Sequence, residues 1–514
     1  MRTKNSIINS LSALFSYAIL FLGPFFVSPF LETVLGKEVL GIQKTFLDTT
    51  ALLSIVELGI SYGIIYKLYE PIAQNNTSKI ALLLKFYKSA FKIVSIIVLF
   101  LGVSTAFIIP SIIVDKHTTQ NFSNVVLSSI FMLYVLDTLL TYLFGHKRAM
   151  LIADQKNYIV TACRTSCQLF MYIIQIFVIC FFKSFFLYVI VKVVFTFLES
   201  LLVDIQYKKR YKSINLKTKD KLDKVERKDL FKNLNALFYH KLGYQSLISG
   251  STLIMANKLG KVVTGIYYPY TLITNGLVSA TTQVFNAILS SFGNFLVKST
   301  EEETFNIYQK IYFLNYLIFS FFSVSVFCLI IPFISIWMGT DFVFPFRTIL
   351  LITVNFYFLG MRQSITMAKS SVGLYRPDRY LAVLEAVFNL FLSWKFAQSL
   401  GLDGILIANL ISTLAIPFWT QPYLVYKNVF KRPVISYYKK YALYFVITTA
   451  STALTYYICS VFKLEPSFFT IFVYALICLI VPNIINILLF YRTNEFKYLL
   501  EISKGIILKL KKGK

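Results

Sequence analysis

Apolar residues run along this chain in blocks of twenty or more, broken by short polar stretches. The first block, Ile7 to Leu31, shows neither the two-residue period of a strand nor the alternating segments of about ten residues that build a membrane β-barrel. As a helix, a block of that length crosses the ~30 Å hydrocarbon core of a bilayer. Fourteen such helices are predicted, at 6–30, 45–67, 91–113, 122–145, 158–182, 184–205, 233–257, 263–293, 309–337, 346–368, 379–400, 402–426, 438–461 and 466–491. The shortest separators are Lys183-Ser184 and Gly401. The fold class is all-α, a polytopic membrane protein.

Charge fixes the orientation. The 514 residues include 51 Lys and Arg against 24 Asp and Glu, a formal net charge of +27. Nucleic acid would be one partner for such a balance, but the bases cluster between alternate pairs of apolar blocks, as the positive-inside rule requires. With both termini inside, 39 of the 51 fall on the cytoplasmic side and nine outside, and Arg164, Lys192 and Lys241 stay within spans. The N-terminus lacks a short apolar region followed by a small-residue cleavage site, so the first helix is expected to stay. All six cysteines lie in apolar runs; Cys163 and Cys167, with no histidine nearby in sequence, read as packing residues rather than a metal pair. No cofactor is expected.

A short string repeats: LGKEVLGI at 35–42 returns as LGKVVTGI at 259–266. Six helices separate the copies, as a duplication would place them. This suggests an N-terminal lobe over 1–205, a basic cytoplasmic linker over 206–232, a second six-helix lobe over 233–430, and two added helices over 431–514, with a basic amphipathic tail from Phe496 to Lys514. An even number of helices per lobe gives both lobes one orientation, related by an axis along the membrane normal.

Three strings, ELGISYGIIYKLYEPIA at 57–73, GLYRPDRYLAVLEAVFNLFLSW at 373–394 and FWTQPYLVYKNVF at 418–430, resemble the Wzx-type oligosaccharide flippases of the polysaccharide transporter family, within the multidrug/oligosaccharidyl-lipid/polysaccharide superfamily. They look most like Gram-positive capsule or teichoic-acid repeat-unit flippases. The resemblance implies two lobes around a cavity, alternating access in a bacterial cytoplasmic membrane, and an undecaprenyl-diphosphate-linked glycan as cargo, with H+ or Na+ as coupling ion and a polysaccharide polymerase as partner. One departure stands out: the first helix carries no charge from Ile7 to Leu31, where the related lipid II flippases place basic groups.

Such a cargo brings a diphosphate into low dielectric, so ionisable groups inside the bilayer are the candidates; a lone charge there costs about 2.5–3.5 kcal/mol or more. Lys241, Arg164, Lys192 and His240 are the expected cargo-binding residues, and Glu57, Asp137 and Glu385 the expected gating or coupling acids. The plain alternatives are a structural Asp137–Arg164 ion pair, a Lys241 that snorkels to the cytoplasm, a packing role for His240, and packing carboxylates at Glu57 and Glu385. Asp48 reads as interfacial. The charges of Arg376-Pro377-Asp378-Arg379 are expected to cap the following helix and meet headgroups. Every outer segment is short, which argues against a membrane glycosyltransferase or polymerase, so no enzyme is expected. A cation-coupled drug exporter shares the two-lobe plan and stays open as the rival.

Overall fold

The computed structural model describes residues 2–113, 122–216, 222–462 and 464–511. Lys116 and Lys463, two of the bases assigned to the outer side, and the last three residues of the tail lie outside them. The chain is all-helical among the described residues. It forms α1 (Arg2–Leu35), α2 (Lys37–Leu53), α3 (Ile55–Ala73), α4 (Thr77–Ile113), α5 (Asn124–Leu143), α6 (Gly145–Ala153), α7 (Asn157–Phe182), α8 (Phe185–Arg210), α9 (Lys224–Lys258) and α10 (Gly260–Lys298). There follow α11 (Glu301–Trp337), α12 (Phe346–Met361), α13 (Gln363–Ser371), α14 (Arg379–Leu400), α15 (Leu402–Ala415), α16 (Pro417–Val425), α17 (Ile435–Val461), α18 (Phe468–Phe490) and α19 (Asn494–Lys511). Every predicted span has a counterpart. Ten of these helices are long and apolar enough, by length and composition, to cross a membrane among the described residues.

Some departures lie at span ends: α4 begins at Thr77 and α9 at Lys224, the latter inside the predicted linker, and α6 follows the fourth span after Phe144 where a polar segment was expected. Others lie within spans: the second, tenth and twelfth are each broken in two, at Ser54, Arg362 and Ile416. Along α2, Thr45, Thr49, Thr50 and Ser54 each donate a hydroxyl to the carbonyl four residues back, back-bonding of a kind that bends helices. At the tenth span the break is held from another helix: the buried Asn315 amide of α11 donates to the carbonyls of Gly360 and Met361, at 3.3 and 3.0 Å. Within lipid such carbonyls must find a partner in the protein.

The chain divides into two compact units, Met1–Tyr268 with Ala382–Leu390, and Pro269–Leu381 with Phe391–Lys514. In the first, α1 packs on α7, α4 on α5, α8 on both α5 and α7, and α9 on α2 and α3. The repeated strings meet here. Gly36 and Gly260 take the same left-handed backbone, φ 88° and 86°, and open α2 and α10, so α2 begins eight residues before its predicted start. Past these turns the two helices cross in reciprocal contact. A methyl on Gly41 would stand 2.8 Å from the Lys261 carbonyl carbon and closer still to its oxygen; one on Gly265 would meet Lys37 in the same way, at 3.1 Å. Small residues at a crossing let backbones approach where lipid supplies no hydrophobic drive between helices. Lys261 also pairs with Glu38 at 2.8 Å.

The second unit is built on tyrosine. Tyr308, Tyr312 and Tyr316, one turn apart on α11, are fully buried, and the latter two stack on α17 tyrosines, Tyr316 on Tyr444 at 4.0 Å and Tyr312 on Tyr437 at 5.0 Å. The Tyr316 hydroxyl donates to Asn486 of α18 at 2.5 Å.

Candidate functional site

In the first unit, α1, α2, α5, α7, α8 and the opening turns of α10 surround a cavity of about 190 Å³. Its charged edge comes from α5 and α8. Lys192 and Thr196 lie one turn apart on α8 and both reach Asp137 of α5. The Lys192 ammonium stands 2.9 Å from Asp137 Oδ2, and the Thr196 hydroxyl donates to Oδ1 at 2.5 Å. Lys192 also lies 4.5 Å from the centre of the Tyr134 ring, a cation–π contact that adds to the pairing. A pair with this many partners is what makes ionised groups tolerable at membrane depth.

The rest of the polar lining is neutral. Gln43 of α2 donates its amide to the Tyr188 hydroxyl at 3.1 Å, and Gln175 of α7 donates to the Tyr188 carbonyl at 3.2 Å. The side-chain oxygens of both glutamines and the hydroxyl of Tyr134 are buried with no protein partner. Native structures leave few such groups unmet. A cavity of this volume has room for about six waters at roughly 30 Å³ each, enough to hydrate these groups.

The other expected site residues do not converge on this chamber. Arg164, on α7, is exposed, and Asp137 is taken by Lys192. The alternative of a structural Asp137–Arg164 ion pair is not borne out: α5 packs on α8, and it is Lys192 of α8 that takes Asp137. Lys241 of α9 is likewise exposed, and neither base forms an ion pair among the described residues. His240 and Glu57 are half-buried and hold partners within the protein. Glu385 of α14 is 6% exposed, in the stretch that packs into the first unit. One turn on, Asn389 accepts from Ser251 of α9 at 3.1 Å.

Several charged groups play parts that the sequence did not single out. Glu199, on the same face of α8 as Lys192, is two turns away and pairs instead with Arg148 of α6 at 3.0 Å. Asp204 holds Lys147 and Lys208 at 2.5 and 2.8 Å. Asp48, read as interfacial, is held by the protein. It binds the buried Lys44 at 2.5 Å and accepts from Thr252 of α9 at 2.6 Å. Asp378 makes no side-chain cap on α14, as the loop's charges were expected to do, but forms a buried pair with Lys369. The chamber's Gln43, Gln168 and Gln175 were legible only as amides inside apolar runs, a signal weaker than charge.

No protein-family model and no curated protein matches the sequence. Solved structures do match the fold. The chain is similar to the lipid II flippase MurJ in an inward closed conformation, with a TM-score of 0.68 at 13% identity, over 94% of this chain and 99% of that one. It is similar to an inward-facing multidrug resistance transporter of the MATE family in the MOP superfamily, at 0.64 and 11% over 80% and 94%. A mutant of the Vibrio cholerae MATE transporter VcmN gives 0.53 and 10% over 84% and 100%. These likenesses show the fold, and with the ten apolar helices they support a multi-pass membrane protein.

Proposed function

We propose that this chain is a flippase that carries an undecaprenyl-diphosphate-linked oligosaccharide from the inner to the outer leaflet of a bacterial cytoplasmic membrane, by alternating access, for cell-surface polysaccharide. The observation that carries the reading is the pair of exposed bases Lys241 and Arg164, without an ion pair among the described residues, on helices of a fold shared with a lipid II flippase. A diphosphate entering low dielectric is strongly unfavourable without countercharge. Lys241 supplies a point charge and Arg164 a planar bidentate donor. Lys192 is held by Asp137 until cargo or a proton competes for it, and His240, Glu57 and Glu385 serve around the bases as ligand or coupling groups. The two lobes are 1–205 and 233–430, joined by the cytoplasmic linker 206–232.

The test is export. Lys241→Ala should abolish surface polysaccharide at normal expression, with lipid-linked intermediate accumulating, and Lys241→Arg should retain much of it. Normal export by Lys241→Ala at wild-type membrane level would remove Lys241 from the site. Loss of drug resistance without loss of polysaccharide on deletion would replace the cargo with a drug. Orientation is tested by Leu216→Cys in a cysteine-free background: labelling by an impermeant reagent from outside would invert the topology.

A further inference from the structure

The opening turns of α11 and α17 and the helix α19 enclose an open groove of about 670 Å³ in the second unit. Two of these helices are beginning membrane spans there, and α19 is short and amphipathic, with Leu500 and Ile502 exposed among charged positions. The groove therefore lies at headgroup depth, on the membrane face that carries α19.

Its walls hold more positive charge than the fold consumes. Lys440 is committed to Glu495 at 2.7 Å. Lys310 stands 3.9 Å above the Tyr498 ring, and neither it nor Lys497 forms an ion pair among the described residues. Glu501 also lines the groove, exposed. Between the bases lies Gln309, 8% exposed. Its amide nitrogen donates to the Tyr426 hydroxyl at 3.3 Å, and its oxygen has no protein partner. A buried acceptor without a donor is costly unless a ligand or water supplies one. One turn deeper than Lys440, Leu443 is half exposed, offering apolar surface to an acyl chain.

We propose that this groove binds the phosphoglycerol headgroup of an anionic phospholipid. Lys310 and Lys497 meet the phosphodiester, and Gln309 accepts a hydrogen bond from the glycerol hydroxyl. Basic pockets between spans at the membrane surface take anionic headgroups in this way. The site is separate from the cargo bases, and its occupancy is measured without cargo.

The experiment is native mass spectrometry of the full chain in detergent, titrated with phosphatidylglycerol and, separately, with phosphatidylcholine. Phosphatidylglycerol should be retained at least tenfold better. Lys310→Gln with Lys497→Gln should remove that preference, and the paired Arg variants should keep it. Gln309→Leu, which removes the acceptor for the glycerol hydroxyl, should weaken phosphatidylglycerol retention severalfold and leave phosphatidylcholine unchanged. Equal retention of phosphatidylcholine, or unchanged retention by the Gln pair, overturns the assignment. So does displacement of the lipid by inorganic phosphate at equal concentration, which would make the ligand a soluble anion. If the Gln pair fails to fold, Gln309→Leu and the Arg pair still decide.

Discussion

Alanine at Gly41 is the sharpest probe of the reciprocal crossing between α2 and α10. The added methyl would stand 2.8 Å from the Lys261 carbonyl carbon and nearer to its oxygen. Because the obstacle is backbone, no rotamer change relieves it, and the helices must separate by roughly 1 Å or more. Overpacking of this kind costs about 1–3 kcal/mol, and a backbone obstacle puts it near the top of that range. Separation also stretches the 2.8 Å Lys261–Glu38 pair, whose side chains are 8% and 16% exposed. Gly265→Ala meets the Lys37 carbonyl in the same manner and should cost about the same. The double variant is the discriminating one. Once the first methyl has parted the helices the second meets open space, so the double should cost clearly less than the sum. Thermal recovery of the full chain, read by size-exclusion chromatography after heating, measures all three. Gly505→Ala, with nothing within 4 Å of the new methyl, is the control and should be neutral or mildly stabilising, as alanine favours a helix by about 1 kcal/mol over glycine. Additive losses, or single variants as stable as the parent, would refute the reasoning.

Asp137→Asn leaves the Lys192 ammonium uncompensated at membrane depth and should cost about 3–5 kcal/mol, while Asp137→Leu with Lys192→Met should recover most of it; the same thermal assay checks this, and a fully stable Asp137→Asn would show that the pair holds nothing. Glu495 anchors α19 to α17. Partial burial raises its pKa, but the Lys440 ammonium more than offsets that, so the net shift is downward. A depressed folded value means this contribution is complete above the ordinary carboxylate pKa of about 4.3 and fades as pH falls through the lower folded one. Release of α19, followed by limited proteolysis, should therefore rise on acidification below pH ~4, and Glu495→Gln should show the released behaviour at neutral pH.

What the sequence disclosed was set by physics that acts locally. Twenty-residue apolar blocks are long enough to specify a helix by themselves: each of the fourteen has a helical counterpart, and ten are long and apolar enough to cross a membrane among the described residues. The repeated glycines at 36, 41, 260 and 265 were visible as a string, yet their meaning was not: only the crossing shows that Gly41 and Gly265 touch each other's segment. Ion pairing was the least legible. Asp137 had Arg164 and Lys192 within plausible depth, and the choice turned on which neighbouring helix packs against α5. The breaks at Ser54, Phe144, Arg362 and Ile416 carry no common residue, and at Arg362 the carbonyls are met from another helix, which the local sequence does not show. The chamber's neutral amides sit in apolar runs as Gln ordinarily would in packing, and nothing in the run distinguishes a cavity wall from a filled core.

The amide of Asn315 has a consequence for how the tenth span can deform. Were α12 and α13 to straighten into one helix, the carbonyls of Gly360 and Met361 would turn along the helix axis towards the N–H groups of Ser364 and Ile365 and away from the amide of Asn315, fully buried on α11, that now donates to them. Stranding a buried amide costs about 1–3 kcal/mol, so the straight form is opposed from outside the span that bends. The kink of the tenth span is thus held by a residue of α11, and its angle is set as much by that neighbour as by the span's own backbone.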